Sequence, residues 1–105
     1  MERIAVLVAS SPTSASAERA FQLIRDLSAQ GHAVTLGLLE DGVLAAAGGL
    51  PEVPLAACAA VKVLAGDLAL RGMAAGSLRP GCQPCEYGDL VDLLMEQSDR
   101  TLGVF

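Results

Sequence analysis

The sequence predicts an α/β domain of three layers around a mainly parallel sheet of four to five strands. Three observations carry this. "RIAVLVAS" (Arg3 to Ser10) is a near-continuous apolar run, the pattern of a strand covered on both faces. A stretch of helical periodicity follows it, and then a second apolar run, "AVTLGLL" (Ala33 to Leu39). That β-α-β order implies a right-handed parallel crossover. Apolar residues make up 52% of the chain and aromatic ones 3%, which suits a core packed from Ala, Leu and Val. With 105 residues, one domain with one core is expected over 1–105.

The elements follow in order. After the first strand, "SPTSAS" reads as a turn. From Ala17 the apolar positions Ala17, Ala20, Phe21, Ile24 and Leu27 recur at helical spacing, with Arg19, Gln22, Arg25, Asp26 and Gln30 on the other face. Ser14 or Ser16 caps this helix, Glu18 suits its first turn, and Gly31 suits its C-terminal cap. After the second strand, "EDGVLAAAGGLPEVP" reads as a turn, a short helix near Val43 to Ala47, and a loop; the Ala-rich stretch from Ala45 to Ala60 is ambiguous. "AVKVLA" (Ala60 to Ala65) is the third strand, and "GDLALRGM" a short helix from Asp67 closing near Gly72. "AAGSLRPGCQPC" reads as a loop, Asp89 to Gln97 as a helix, and "TLGVF" as the last strand.

Charge and composition exclude several classes. The net charge is −5, and the seven basic residues are scattered, which argues against a nucleic-acid surface. No apolar run approaches the roughly 18 residues of a membrane helix. The first residues show no signal peptide, so a cytoplasmic protein is expected. Three cysteines are an odd count and fit a disulfide framework poorly. Without Trp, stacking platforms for bases or flavins are scarce. The apolar composition suggests surface kept for subunit contacts.

Chemistry centres on "PGCQPCEYGDL" (Pro80 to Leu90). Cys85 lies just before a helix, whose free N–H groups and partial positive charge stabilise a thiolate. Cys82 lies close enough in sequence to resolve a disulfide or persulfide on Cys85. Glu86 and Asp89 work against the thiolate. Two unreactive thiols on a surface loop are the plain alternative. A thioredoxin-type site fails on context, because that motif follows directly from a core strand and here "RGMAAGSLRPG" intervenes. Zinc needs further ligands, and only Cys58 and His32 remain, so neither metal nor cofactor is expected. His32, after Gly31, suits a turn-stabilising role, and Cys58, among small apolar neighbours, an inert buried thiol. "SSPTSAS" can cradle a phosphate at a helix start, but it lacks the glycines of a nucleotide loop, and capping explains its hydroxyls.

Four stretches resemble the DsrE/DsrF/DsrH-like family, which includes the TusB, TusC and TusD subunits of the sulfur relay. They are the opening strand and helix with "GHAV" and "DGV", then "VKVLAGDLALRGM", "GCQPCEYGDLVDLL" and "SDRTLGVF". The resemblance implies a small parallel, flavodoxin-like α/β fold, cytoplasmic sulfur handling, and homo- or hetero-oligomers that exchange sulfur with donor and acceptor proteins. It also implies a sulfur-carrying cysteine just after the third strand, seven residues before the Arg of "RG"; that position is Leu64 here.

Three readings stay open. A persulfide carrier or sulfurtransferase would use Cys85 with Cys82 assisting. A non-catalytic subunit of a sulfur-transfer oligomer would supply interface. A flavodoxin-like small-molecule binder would use "SSPTSAS".

Overall fold

Along the first strand Ile4, Val6 and Val8 alternate with Ala5 and Leu7, and that alternation divides the molecule into two sides. The computed structural model describes residues 1–47 and 53–104. Its elements are β1 (Arg3–Val8), α1 (Ala15–Ala29), β2 (Ala33–Leu38), β3 (Ala60–Leu64), α2 (Ala65–Leu70), β4 (Cys82–Cys85), α3 (Tyr87–Met95) and β5 (Arg100–Val104). Short 3₁₀ helices cover Glu40–Ala46, Leu55–Ala57 and Ala75–Ser77. The five strands form one all-parallel sheet in the order β4-β3-β2-β1-β5. The expected α/β architecture is thus observed, with five strands.

One side is thick. Ile4, Val6 and Val8, with Val34, Leu36 and Leu38, Val61 and Val63, pack under Ala17, Ala20, Phe21 and Ile24 of α1 and under Val43 and Leu68. Burying a side chain such as Ile24 contributes about 2 kcal/mol. The other side is thin. Ala5 lies with Cys85, Leu90 and Leu93, and among the described residues only α3 covers it. Gly37 belongs to this side, and a Cβ there would come within 2.6 Å of Leu7 Cδ2.

The caps follow the sequence. Ser14 Oγ accepts the N–H of Ala17 at 3.1 Å, so Ser14 rather than Ser16 caps α1. Gly31 follows the C-cap Gln30 with φ +91°, a conformation that favours glycine. His32 fixes the turn, its Nδ1 accepting the N–H of Glu2 at 3.1 Å.

Several boundaries differ from expectation. The stretch read as a loop, "AAGSLRPGCQPC", contains β4. Its Gln and Pro hide the strand from any periodicity; pairing with β3 makes it, and an edge position tolerates Pro84. The last helix begins at Tyr87 rather than Asp89, because Asp89 sits one turn in and its carboxylate accepts the N–H of Glu86 at 2.9 Å. The helix expected at Val43 to Ala47 is the 3₁₀ helix Glu40–Ala46, and α2 starts at Ala65. Residues 48–52, in the loop expected after Ala47, and Phe105 of the last strand lie outside the described residues.

Candidate functional site

Cys85 ends β4, at the carboxyl edge of the sheet, where α/β folds place their chemistry. Its partner across the ladder is Leu64, the last residue of β3. Both belong to the thin side, packed with Leu90 and Leu93 of α3. The Cys85 residue is 7% exposed. It borders a cleft of about 330 Å³ lined also by Lys62, Gln83, Pro84, Asp89, Asp92 and Gln97. Lys62 donates to Gln83 Oε1 at 2.9 Å across the same two strands.

Cys82 does not join this site. It pairs with Val61 and packs against the thick-side core. Residues three apart on a strand face opposite sides, about 10 Å apart along the chain. The expectation that Cys82 resolves sulfur on Cys85 came from reading the segment as a loop; in a strand, the two thiols have the sheet between them. All three cysteines are free.

The electrostatics also differ from expectation. Burial pushes the Cys85 thiol up from its ordinary value, Asp89 and Glu86 push the same way, and Lys62 opposes them. The helix start offers little help because Glu86 and Asp89 close a capping box over it. The Glu86 amide donates to the Asp89 carboxylate rather than to the thiol. Cys82 is likewise raised by burial, against Arg79. Cys58 is raised to about 11, first by burial and then by Cys82, and its thiol donates to the Pro54 carbonyl at 3.5 Å.

A polar network braces the carboxyl edge beside Leu64. Arg71 Nη2 meets Asp41 Oδ1 at 2.9 Å, and Arg71 Nη1 donates to the Asp67 carbonyl at 3.2 Å. Asp67 Oδ2 accepts the N–H of Glu40 at 2.7 Å. Glu40 holds φ +50°, an uncommon value for a non-glycine residue, and this hydrogen bond helps fix it there. Among the hydroxyls of "SSPTSAS", Ser14 caps α1, and Ser11 and Thr13 bond each other at 3.0 Å. No group of three or more His, Cys, Asp or Glu side chains among the described residues is placed to hold a metal. Among the described residues, no helix is long and apolar enough to cross a membrane.

Sequence reasoning missed Lys62, Gln83 and Asp92. For Lys62 a signal existed: it is the one charge in the apolar run "AVKVLA". Its half-buried place beside a cysteine arises only through strand pairing.

Comparison with known proteins agrees with this fold. A family profile described as DsrH like protein matches residues 11–100. The crystal structure of ychN protein from E. coli superposes with a TM-score of 0.85 at 22% identity, covering 98% of this chain and 99% of that one. A protein of unknown function, MTH1491 from Methanobacterium thermoautotrophicum, superposes with a TM-score of 0.78 at 14% identity, covering 95% and 97%. These likenesses show a shared fold. No curated protein matches the sequence.

Proposed function

The chain belongs to the DsrH-like family, and from that premise we propose that it serves a cytoplasmic sulfur relay in which the Cys85 thiol holds the sulfur. Family membership supports the relay in general. The observation that carries the finer reading is the pairing of Leu64 with Cys85. The resemblance puts a sulfur-carrying thiol at position 64, where this chain has leucine. The thiol it does have stands on the next strand, about 5 Å away, on the same side of the sheet and beside an open cleft.

The step is an exchange without net oxidation. The Cys85 thiolate attacks the outer sulfur of a donor protein's persulfide. The Sγ–S bond forms, the donor's S–S bond breaks, and the donor leaves as a thiolate. The proton released by Cys85 balances that thiolate, so Cys85 ends as the persulfide and the donor as a thiol. Lys62 is placed to offset the negative charge in the cleft. Cys82 takes no share in the step. Because the thiol is raised, loading speeds up as pH rises and continues to do so past the ordinary cysteine value.

A second reading, a non-catalytic subunit that binds relay partners, draws on the same burial and raised thiol. The test is intact mass after incubation with a cysteine desulfurase and cysteine, before and after reduction. One reducible sulfur atom on the wild type and none on Cys85→Ser is the expected result. A folded wild type that gains no sulfur would establish the non-catalytic subunit instead.

A further inference from the structure

The cleft beside Cys85 holds charges of both signs that do not meet. Lys62 and Gln83 are partners across β3 and β4, two residues before Leu64 and Cys85, so all four side chains share one side of the sheet. Lys62 Nζ donates to Gln83 Oε1, which leaves the ammonium two further donors. Among the described residues it makes no ion pair. Asp89 and Asp92 of α3 line the same cleft. One Asp89 oxygen accepts the Glu86 N–H, whereas the Asp92 carboxylate accepts no hydrogen bond among the described residues. α3 carries no basic residue to neutralise either one. An ammonium, two carboxylates and a thiol thus border about 330 Å³ of space, the opposite charges too far apart to pair with each other.

We propose that this cleft binds a free α-amino-acid persulfide, cysteine persulfide being the simplest, with its carboxylate on Lys62, its ammonium on Asp92 and Asp89, and its outer sulfur against Cys85. The proposal rests on the reading of Cys85 as a sulfur carrier and adds a small donor to the protein donor of that reading. Charge is the first argument. A free amino acid carries both signs on one carbon and so satisfies both walls of the cleft. In a donor protein the same two groups of a cysteine are tied up in peptide bonds and carry no charge. Two carboxylates against one ammonium also disfavour a phosphate-bearing ligand. Length is the second. The Lys62–Gln83 and Leu64–Cys85 pairs lie about 7 Å apart along the strands. From carboxylate carbon to outer sulfur, an extended cysteine persulfide spans about 5 Å. Size is the third, since the volume sits at the lower end for ligand clefts and suits a single amino acid.

The exchange balances without an oxidant. The Cys85 thiolate attacks the outer sulfur of the protonated persulfide, the Sγ–S bond forms and the ligand's S–S bond breaks. Cysteine leaves as a thiolate and takes up the proton that Cys85 released. A thiol and a persulfide become a persulfide and a thiol.

Loading rates from three persulfides test it, read as intact mass at timed quenches. The three are cysteine persulfide, cysteamine persulfide, which lacks the carboxylate, and 3-mercaptopropionate persulfide, which lacks the ammonium. Each rate ratio is compared between wild type and variant, which cancels the intrinsic reactivity of the persulfides. Lys62→Gln should slow cysteine persulfide about fivefold relative to cysteamine persulfide, and Asp92→Asn should slow it about fivefold relative to 3-mercaptopropionate persulfide, the upper end for a partly solvated ion pair. Lys62 also acts on the Cys85 thiol, but a changed thiol slows all three persulfides alike and leaves the ratios untouched. An unchanged ratio in either variant would overturn the proposal and leave sulfur loading at Cys85 standing. Loading from a cysteine desulfurase but from no free persulfide would do the same, and would make the cleft a seat for a protein segment. A folded protein that takes sulfur from neither source would overturn the Cys85 reading itself, and this proposal with it.

Discussion

The two faces of the sheet differ in what they are built to do. The α1 side is sealed by Val6, Val8, Ile24, Leu36 and Leu38, each under 2% exposed. Its thiols are Cys58 and Cys82, half-buried at the fringe of that core, with Cys58 pushed to about 11. The α3 side has a short helix, small residues at Ala5 and Gly37, a half-buried lysine and a cleft that reaches a cysteine. One face holds the fold together, and the other carries the candidate site. Two cysteines three residues apart fall on different sides of that division, so proximity in sequence says little about shared function when the segment is a strand.

Substitutions can break or sharpen this contrast. The largest effect is expected at Gly42, where a Cβ would collide with the Val8 carbonyl, a backbone atom that cannot step aside. Gly42→Ala should cost about 5 kcal/mol or more in urea unfolding. A cost below about 1 kcal/mol would show that the 3₁₀ helix floats free of β1. Next comes the comparison of faces. Ile24→Ala on the thick side should cost about 4 kcal/mol, and Leu93→Ala, under the short α3, about 2 kcal/mol. Equal costs would remove the distinction between a sealed and a thin side.

A smaller effect follows from pH. Burial raises Cys58 from 9.0 to about 11 in the folded chain, so between those values the unfolded chain releases a proton that the folded chain keeps. Stability from this group is present below pH 9.0 and is lost as pH rises toward about 11. The urea midpoint should fall between about pH 8 and about pH 10, and fall less in Cys58→Ala. An identical fall in both proteins would mean that Cys58 is solvated.

Much of this was legible in the sequence, for identifiable reasons. β1 and β2 are apolar on both faces because both faces are covered, and α1 announces itself by periodicity and by Ser14. The short motifs that carried the family likeness prove to be fasteners. "GH" supplies a positive-φ glycine and the imidazole that accepts from Glu2. "DGV" and "RG" meet in the Asp41–Arg71 ion pair. "DR" ties β5 to the start of β1, Asp99 through Arg3 and Arg100 through Glu2. That Asp99–Arg3 contact holds the Asp99 carboxyl below its usual range, mainly through the hydrogen bond to the guanidinium. The candidate site was harder to read. β4 is four residues long and includes Pro84, so only its partner strand reveals it. Once that strand is missed, Cys82 and Cys85 look like neighbours on a loop, Lys62 stays out of the account, and the capping box of Glu86 and Asp89 goes unseen.

The central claim is that Cys85 stands in for a thiol at position 64 because the two positions face each other across β3 and β4. The most direct test measures reducible sulfur on Cys85→Ala and on the double variant Leu64→Cys/Cys85→Ala after incubation with a cysteine desulfurase and cysteine. The account predicts that the first takes up no sulfur and that the second regains it. Undiminished loading of Cys85→Ala, or a folded double variant that stays empty, would contradict it.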